Sequence, residues 1–222
     1  MDSALFSRKV KRMKILFEDE HIIVCVKERG LLSQDGNGKA SMVDKLSEYT
    51  GSVIYPVHRL DKDVAGVMVY AKSQKAAANL SAQVSDRRMK KEYLAIVHGE
   101  ADKGTMEDLL FFDRSKNKSF VVKKERRGVK KALLSYETLE RKADKSLVRV
   151  SLHTGRTHQI RIQFASRKMP LFGDRRYGGK DDEKTIALWS CRISFEHPES
   201  KKVMEFELLP DGDKAFAEFY NR

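Results

Sequence analysis

The sequence predicts an α+β fold built on a mainly antiparallel or mixed β-sheet. Short blocks rich in Ile, Val and Phe recur along the whole chain at strand length, separated by polar or turn-forming residues. Helical patterning is confined to a few stretches. These do not alternate regularly with the strands, which argues against a doubly wound parallel sheet. The 222 residues show no internal repeat and no long linker, and a chain of this length fits one large domain or two small ones.

Taken in order, residues 14–17 and 22–27 read as strands separated by the polar Glu18-Asp19-Glu20. Residues 30–39 form a loop, with Asp35-Gly36-Asn37-Gly38 supplying turn chemistry. Ser41 has the chemistry of an N-cap with Asp44 three positions on, and Met42, Val43 and Leu46 form the inner face of a short helix. Residues 53–58 are extended, 61–66 a loop and 67–71 an apolar strand. The Ala-rich run 73–85 predicts a helix capped at Ser73. Residues 93–97, 119–124, 132–139, 147–153, 186–195 and 203–209 have strand composition. A helix over 157–167 places Ile160 and Phe164 on one face. The turn-rich loop 173–179 follows, and a short terminal helix spans 213–220.

Charge points to the partner. Lys and Arg total 44 against 32 Asp and Glu, a net charge of +12, and such a surface attracts polyanions. The distribution is uneven. Nine Lys or Arg and a single acid, Glu125, lie between Arg114 and Lys131, and no Asp or Glu occurs from Lys145 to Gly173. A charge run is usually just a solvated loop, but two runs flanking one candidate site favour a phosphate-tracking surface. No apolar run nears the roughly 20 residues of a membrane-spanning helix. The first 13 residues form a basic extension without the apolar segment of a secretory signal. Cys25 and Cys191 are far apart and beside apolar residues. They suit two buried thiols in a reducing cytoplasm rather than a disulfide framework or zinc site.

The most specific stretch is Val57-His58-Arg59-Leu60-Asp61, followed by Gly66-Val67-Met68-Val69-Tyr70-Ala71-Lys72. It resembles the central motif of the RluA-type pseudouridine synthases. Three further stretches match that family in order: Lys90-Lys91-Glu92-Tyr93, Thr154-Gly155-Arg156-Thr157-His158-Gln159-Ile160-Arg161, and Gly173-Asp174-Arg175-Arg176-Tyr177-Gly178. The opening Ile15 to Leu32 is also similar, so the likeness covers nearly the whole chain. It implies one catalytic domain over residues 14–222, with a curved mixed or antiparallel sheet flanked by helices around a basic cleft.

The implied reaction breaks the N1–C1′ glycosidic bond of a uridine, turns the uracil and rejoins it through C5. No atom is gained or lost overall, so no cofactor and no metal are expected. Scission needs a carboxylate near C1′, the demand that glycosidases also meet with carboxylates. The resemblance assigns that role to Asp61, as nucleophile or as base, and assigns Arg161 as the guanidinium that keeps it ionised. Tyr93 falls where the family has its active-site tyrosine, to stack on uracil or to serve as base. A base role needs environmental help, since a free tyrosine has a pKa of about 10. The target base must leave the RNA stack, and the planar, cationic Arg59 is the implied space-filler. His58, Lys91, Arg156 and His158 complete the expected RNA-binding set.

Some positions depart from the family pattern. Val64-Ala65-Gly66 stands where Thr-Ser-Gly is common, Gln163 where His is common, and Lys27-Glu28 where Lys-Pro is usual. An S4-like RNA-binding domain is not expected, so recognition falls to the catalytic domain. The alternatives are a non-catalytic RNA-binding or ribosome-assembly factor on the same fold and a metal-dependent nuclease using His153 and His158. The joint presence of Asp61, Tyr93 and Arg161 argues against the first. The acid-free neighbourhood of the two histidines argues against the second. A Ser-His-Asp hydrolase lacks its Gly-x-Ser-x-Gly elbow. The expected partner is ribosomal and/or transfer RNA, with no DNA or membrane partner and a monomeric protein.

Overall fold

A computed structural model describes residues 13–36 and 38–220. Residues 1–12 of the basic extension, and Asn37 of the expected turn, lie outside the described residues. The strands are β1 (Ile15–Glu18), β2 (Ile22–Lys27), β3 (Tyr55–Pro56), β4 (Ala65–Ala71), β5 (Lys90–His98) and β6 (Lys103–Asp113), then β7 (Lys118–Val122), β8 (Val129–Lys142), β9 (Lys145–Leu152), β10 (Leu188–Glu196) and β11 (Val203–Glu207). The helices are α1 (Met42–Thr50), α2 (Gln74–Ser85), α3 (Gln159–Ala165) and α4 (Ala217–Tyr220), the last preceded by a 3₁₀ turn at Lys214–Phe216.

The strands join one mixed sheet in the order β1-β2-β4-β10-β5-β9-β8-β6-β7, with β3 beside β4 and β11 beside β10. Every pairing is antiparallel except β4 with β10. At that parallel seam Ser190 faces Gly66. Gly66 has φ +125°, and a Cβ there would overlap the backbone of Ser190. Only glycine lets the two strands close at this point.

Local sequence explains the elements well. α1 starts in a reciprocal capping box: Asp44 N donates to Ser41 Oγ and Ser41 N to Asp44 Oδ2, each at 3.2 Å. Met42 and Leu46 are fully buried and Val43 half-buried. Ser73 Oγ caps α2 by accepting from Ala76 N.

Two expectations need correction. β6 was not anticipated, because its first half mixes Lys103, Gly104, Glu107 and Asp108 with few apolar residues. Tertiary pairing with β8 along nine residue pairs overrides that composition. The helix expected over 157–167 is only Gln159–Ala165, since His158 sits in the left-handed region at φ 54° and ends the right-handed run.

Apolar side chains cover both faces of the sheet. One face carries the largest core, in which Leu60, Val64, Tyr93, Ile160, Phe164 and Leu188 pack together. These residues come from the Asp61 loop, from β5, α3 and β10, so the core that stabilises the fold also holds the site together. Val64 and Ala65 are almost fully buried, which accounts for apolar residues where the family often has hydroxyls. Gln163 donates from Nε2 to Met106 O at 3.1 Å and to Asp108 Oδ2 at 2.7 Å, docking α3 on β6.

Candidate active site

A cleft of about 650 Å³ opens between the Asp61 loop, the start of β5 and the segment leading into α3. Asp61, Tyr93, Arg161, Arg59, His58, Lys91, Arg156 and His158 all line it. Residues more than 100 positions apart in sequence thus meet in one place.

The Asp61 loop is fixed from behind. The fully buried Lys27 ammonium donates to three carbonyls: Val64 O at 2.7 Å, Lys62 O at 3.0 Å and Glu28 O at 3.1 Å. Burial pulls the Lys27 pKa down to about 8, Arg29 adds to the fall, and Asp61 and Asp63 partly oppose it. Arg29 donates to Asp63 O and Ile186 O, each at 2.7 Å. Ser33 Oγ clamps both backbone groups of Leu60 at 2.9 Å. His58 accepts the Val69 amide at Nε2, 3.1 Å away, and so ties the loop to β4. Burial, with Lys91 contributing, lowers the His58 pKa to about 3, which keeps its ring neutral.

In front, Arg161 bridges two carboxylates. Its Nη1 donates to Asp61 Oδ2 at 2.9 Å, while Nε and Nη2 hold Asp174 Oδ2 and Oδ1 at 2.7 and 2.9 Å. Burial works against the guanidinium charge, but Asp174 and then Asp61 more than offset it, and its pKa rises. The guanidinium also stacks on Tyr177, 5.1 Å from the ring centre. Asp174 is placed by the turn after Gly173, which has φ +74° and no room for a Cβ against Thr185.

His158 Nε2 lies 3.6 Å from Asp61 Oδ2, and its Nδ1 lies 2.9 Å from Tyr177 Oη. Its side chain is turned inward and is only 8% exposed. Tyr93 is buried, and burial followed by the Asp61 charge raises its pKa. Its surroundings therefore favour the neutral phenol rather than helping it toward phenolate.

Arg59, Arg156 and Lys91 also line the cleft. Arg59 is exposed and donates from Nη2 to Thr157 Oγ1 at 2.8 Å. Arg156 donates from Nε to Lys131 O at 2.9 Å. The Lys91 ammonium reaches the side of Gly155, its pKa lowered by burial, with no ion-pair partner among the described residues. The loop tips before and after β7 carry exposed Arg114, Lys116, Lys123, Lys124, Arg126 and Arg127. His153 Nε2 meets Ser135 Oγ at 3.0 Å, so the two histidines considered for a nuclease face different partners.

Sequence reasoning assigned no role to Asp174, Tyr177 or Lys27. The first two sit in the quoted Gly-Asp-x-x-Tyr-Gly stretch, which was the available signal. Lys27 was noted only for its unusual neighbour, Glu28.

Comparison with known proteins identifies the family. The family model described as RNA pseudouridylate synthase matches residues 21–166. A protein of Aquifex aeolicus named an uncharacterized RNA pseudouridine synthase is 37% identical over 220 residues, covering 88% of this chain and 69% of its own. Ribosomal large subunit pseudouridine synthase D of Nitrosomonas europaea is 33% identical over 219 residues, covering 90% and 62%. The solved human RNA pseudouridylate synthase domain containing 1 superposes with a TM-score of 0.76 at 20% identity, covering 92% of this chain and 87% of that one, which shows a shared fold. On the family match and these identities, the chain belongs to the RNA pseudouridine synthases, isomerases of the RluA-type family that act on RNA.

Proposed function

We propose that this enzyme isomerises a specific uridine in ribosomal and/or transfer RNA, with Asp61 as the catalytic carboxylate. The observation that carries the reading is the Arg161–Asp61 contact at the floor of a cleft lined by cations. The named activity of the Nitrosomonas europaea relative makes ribosomal RNA the first substrate to test. Cys25 and Cys191 are buried free thiols, in keeping with a reducing cytoplasm. Among the described residues no helix is long and apolar enough to cross a membrane.

The chemistry follows from the placement. Phosphates dock on the basic rim, and RNA is read by shape and splayed bases. Arg59 leaves Thr157 and fills the gap left by the flipped uridine, while Arg156, Lys91 and His58 border the nucleotide. Asp61, paired with Arg161, acts at the ribose as the N1–C1′ bond breaks. The uracil turns against Tyr93, and C5 bonds to C1′. The C5 proton then leaves and N1, freed from the sugar, takes one up, so the composition of the RNA is unchanged. Tyr93 acts as a neutral ring that stacks on the base, consistent with its raised pKa.

The test is tritium release from bulk RNA labelled at uracil C5, taken from cells lacking the enzyme, followed by mapping of the modified position. Release from ribosomal or transfer RNA supports the reading. Absence of release from both refutes it.

A further inference from the structure

We propose that His158 is a positioning residue for Asp61, an imidazole held in one tautomer by Tyr177 so that its Nε2–H faces the carboxylate. This rests on the reading of Asp61 as the catalytic group. It gives His158 a role other than contact with RNA.

The hydrogen-bond pattern sets the tautomer. Ser119 N donates to Tyr177 Oη at 2.7 Å, occupying the phenol oxygen as an acceptor. The phenol hydrogen is then free for His158 Nδ1 at 2.9 Å. A neutral imidazole that accepts at Nδ1 carries its proton on Nε2. The groups that face this ring are Asp61, Arg161, Asp174, Arg176 and Tyr177, with the Phe112 ring edge-on at 6.1 Å. Burial lowers the imidazole pKa. Asp61 opposes that fall, Arg161 and Arg176 add to it, and Asp174 opposes it again, so the net effect favours the neutral ring.

The target of the Nε2–H is equally specific. Arg161 Nη1 and His158 Nε2 both approach Oδ2 of Asp61, at 2.9 and 3.6 Å. Oδ1 has no protein partner among the described residues and is left to face the ribose. The 3.6 Å separation is longer than a hydrogen bond, as catalytic contacts often are before substrate binds. A small turn of the carboxylate, whose side chain is 21% exposed, closes it. The backbone of His158 is built for this inward aim. It occupies the left-handed region at φ 54°, a conformation uncommon outside glycine and often found at functional sites. A histidine meant for RNA has no need to be 8% exposed between Tyr177 and Phe112.

Two readouts on the full chain test this. The first needs no substrate. In ¹⁵N-histidine NMR at pH 7, the resonance lost in His158→Gln should report the Nε2–H tautomer, and Tyr177→Phe should shift it toward the other form. A charged ring or an Nδ1–H ring in the unsubstituted protein overturns the proposal, whatever the fate of Asp61. The second is the kinetics of tritium release. His158→Leu should lower kcat by up to about 100-fold with KM nearly unchanged. His158→Gln, whose amide reaches the Nε2 position, should recover most of that loss, and Tyr177→Phe should cost less in the Gln background than in the unsubstituted protein. A rise in KM or RNA Kd with kcat intact, or Gln as damaging as Leu in a protein that still melts normally, overturns it.

Discussion

Arg161 grips Asp61 through a single Nη1 contact of 2.9 Å, while its other edge closes a two-point pair with Asp174. The carboxylate proposed as catalytic is thus aimed by a cation that is itself locked. A lysine cannot copy this, because one ammonium lacks the planar fork. Arg161→Lys should reduce kcat for tritium release by about 100-fold or more. Asp174→Asn should cost about 3–5 kcal/mol by urea denaturation, since it leaves a buried guanidinium short of a charge partner. Full activity in Arg161→Lys would count against the aiming role.

Lys27 links pH to stability. Its folded pKa is about 8, against an ordinary 10.5. Below pH 8 both folded and unfolded chains hold the proton, and the penalty for burying the charge is fully present. Between pH 8 and 10.5 the unfolded chain binds more protons, so this group makes stability rise with pH. The stability difference between the native protein and Lys27→Met should therefore move in favour of the native protein across that window. At pH 7, Lys27→Met should lose about 1–3 kcal/mol, because three carbonyls behind Asp61 lose their donor. Urea denaturation at a series of pH values checks both, and parallel pH profiles would contradict the first.

Gly66→Ala should be among the most damaging single-methyl additions. The new Cβ would meet the Ser190 backbone at the parallel seam, at a φ that L residues avoid. A loss above roughly 3 kcal/mol is expected, read as a drop in the urea midpoint. A neutral effect would mean that the β4–β10 seam is looser than described.

Arg59 is exposed, and among the described residues its side chain hydrogen-bonds only Thr157 Oγ1. Arg59→Ala should leave stability within about 0.5 kcal/mol yet reduce conversion of RNA. Binding should also weaken with salt, with Lys123, Lys124, Arg126 and Arg127 substitutions flattening the slope of log Kd against log salt. Filter binding at several salt concentrations measures this, and an unchanged slope would separate those loops from the RNA path.

Much of this was legible in the sequence because it depends on local chemistry. Ser41 with Asp44, and Ser73 alone, announce helix starts through short-range caps. The apolar run at 67–71 marks the strand beside the site, and the motif residues line one cleft. What escaped depends on distant partners. β6 is a strand because β8 lies beside it, not because Lys103 to Asp108 favour extension. The late start of α3 follows from His158, whose backbone is left-handed and whose ring lies against Tyr177 and Phe112. Asp174 and Lys27 look like ordinary surface charges until the fold buries them against Arg161 and against the carbonyls behind Asp61.

The decisive measurement is Asp61→Asn, which keeps the shape of the side chain and removes its charge, assayed for both RNA binding and tritium release. The expected result is near-native RNA affinity with release at background. Release at the native rate from a folded Asp61→Asn protein would contradict the central claim.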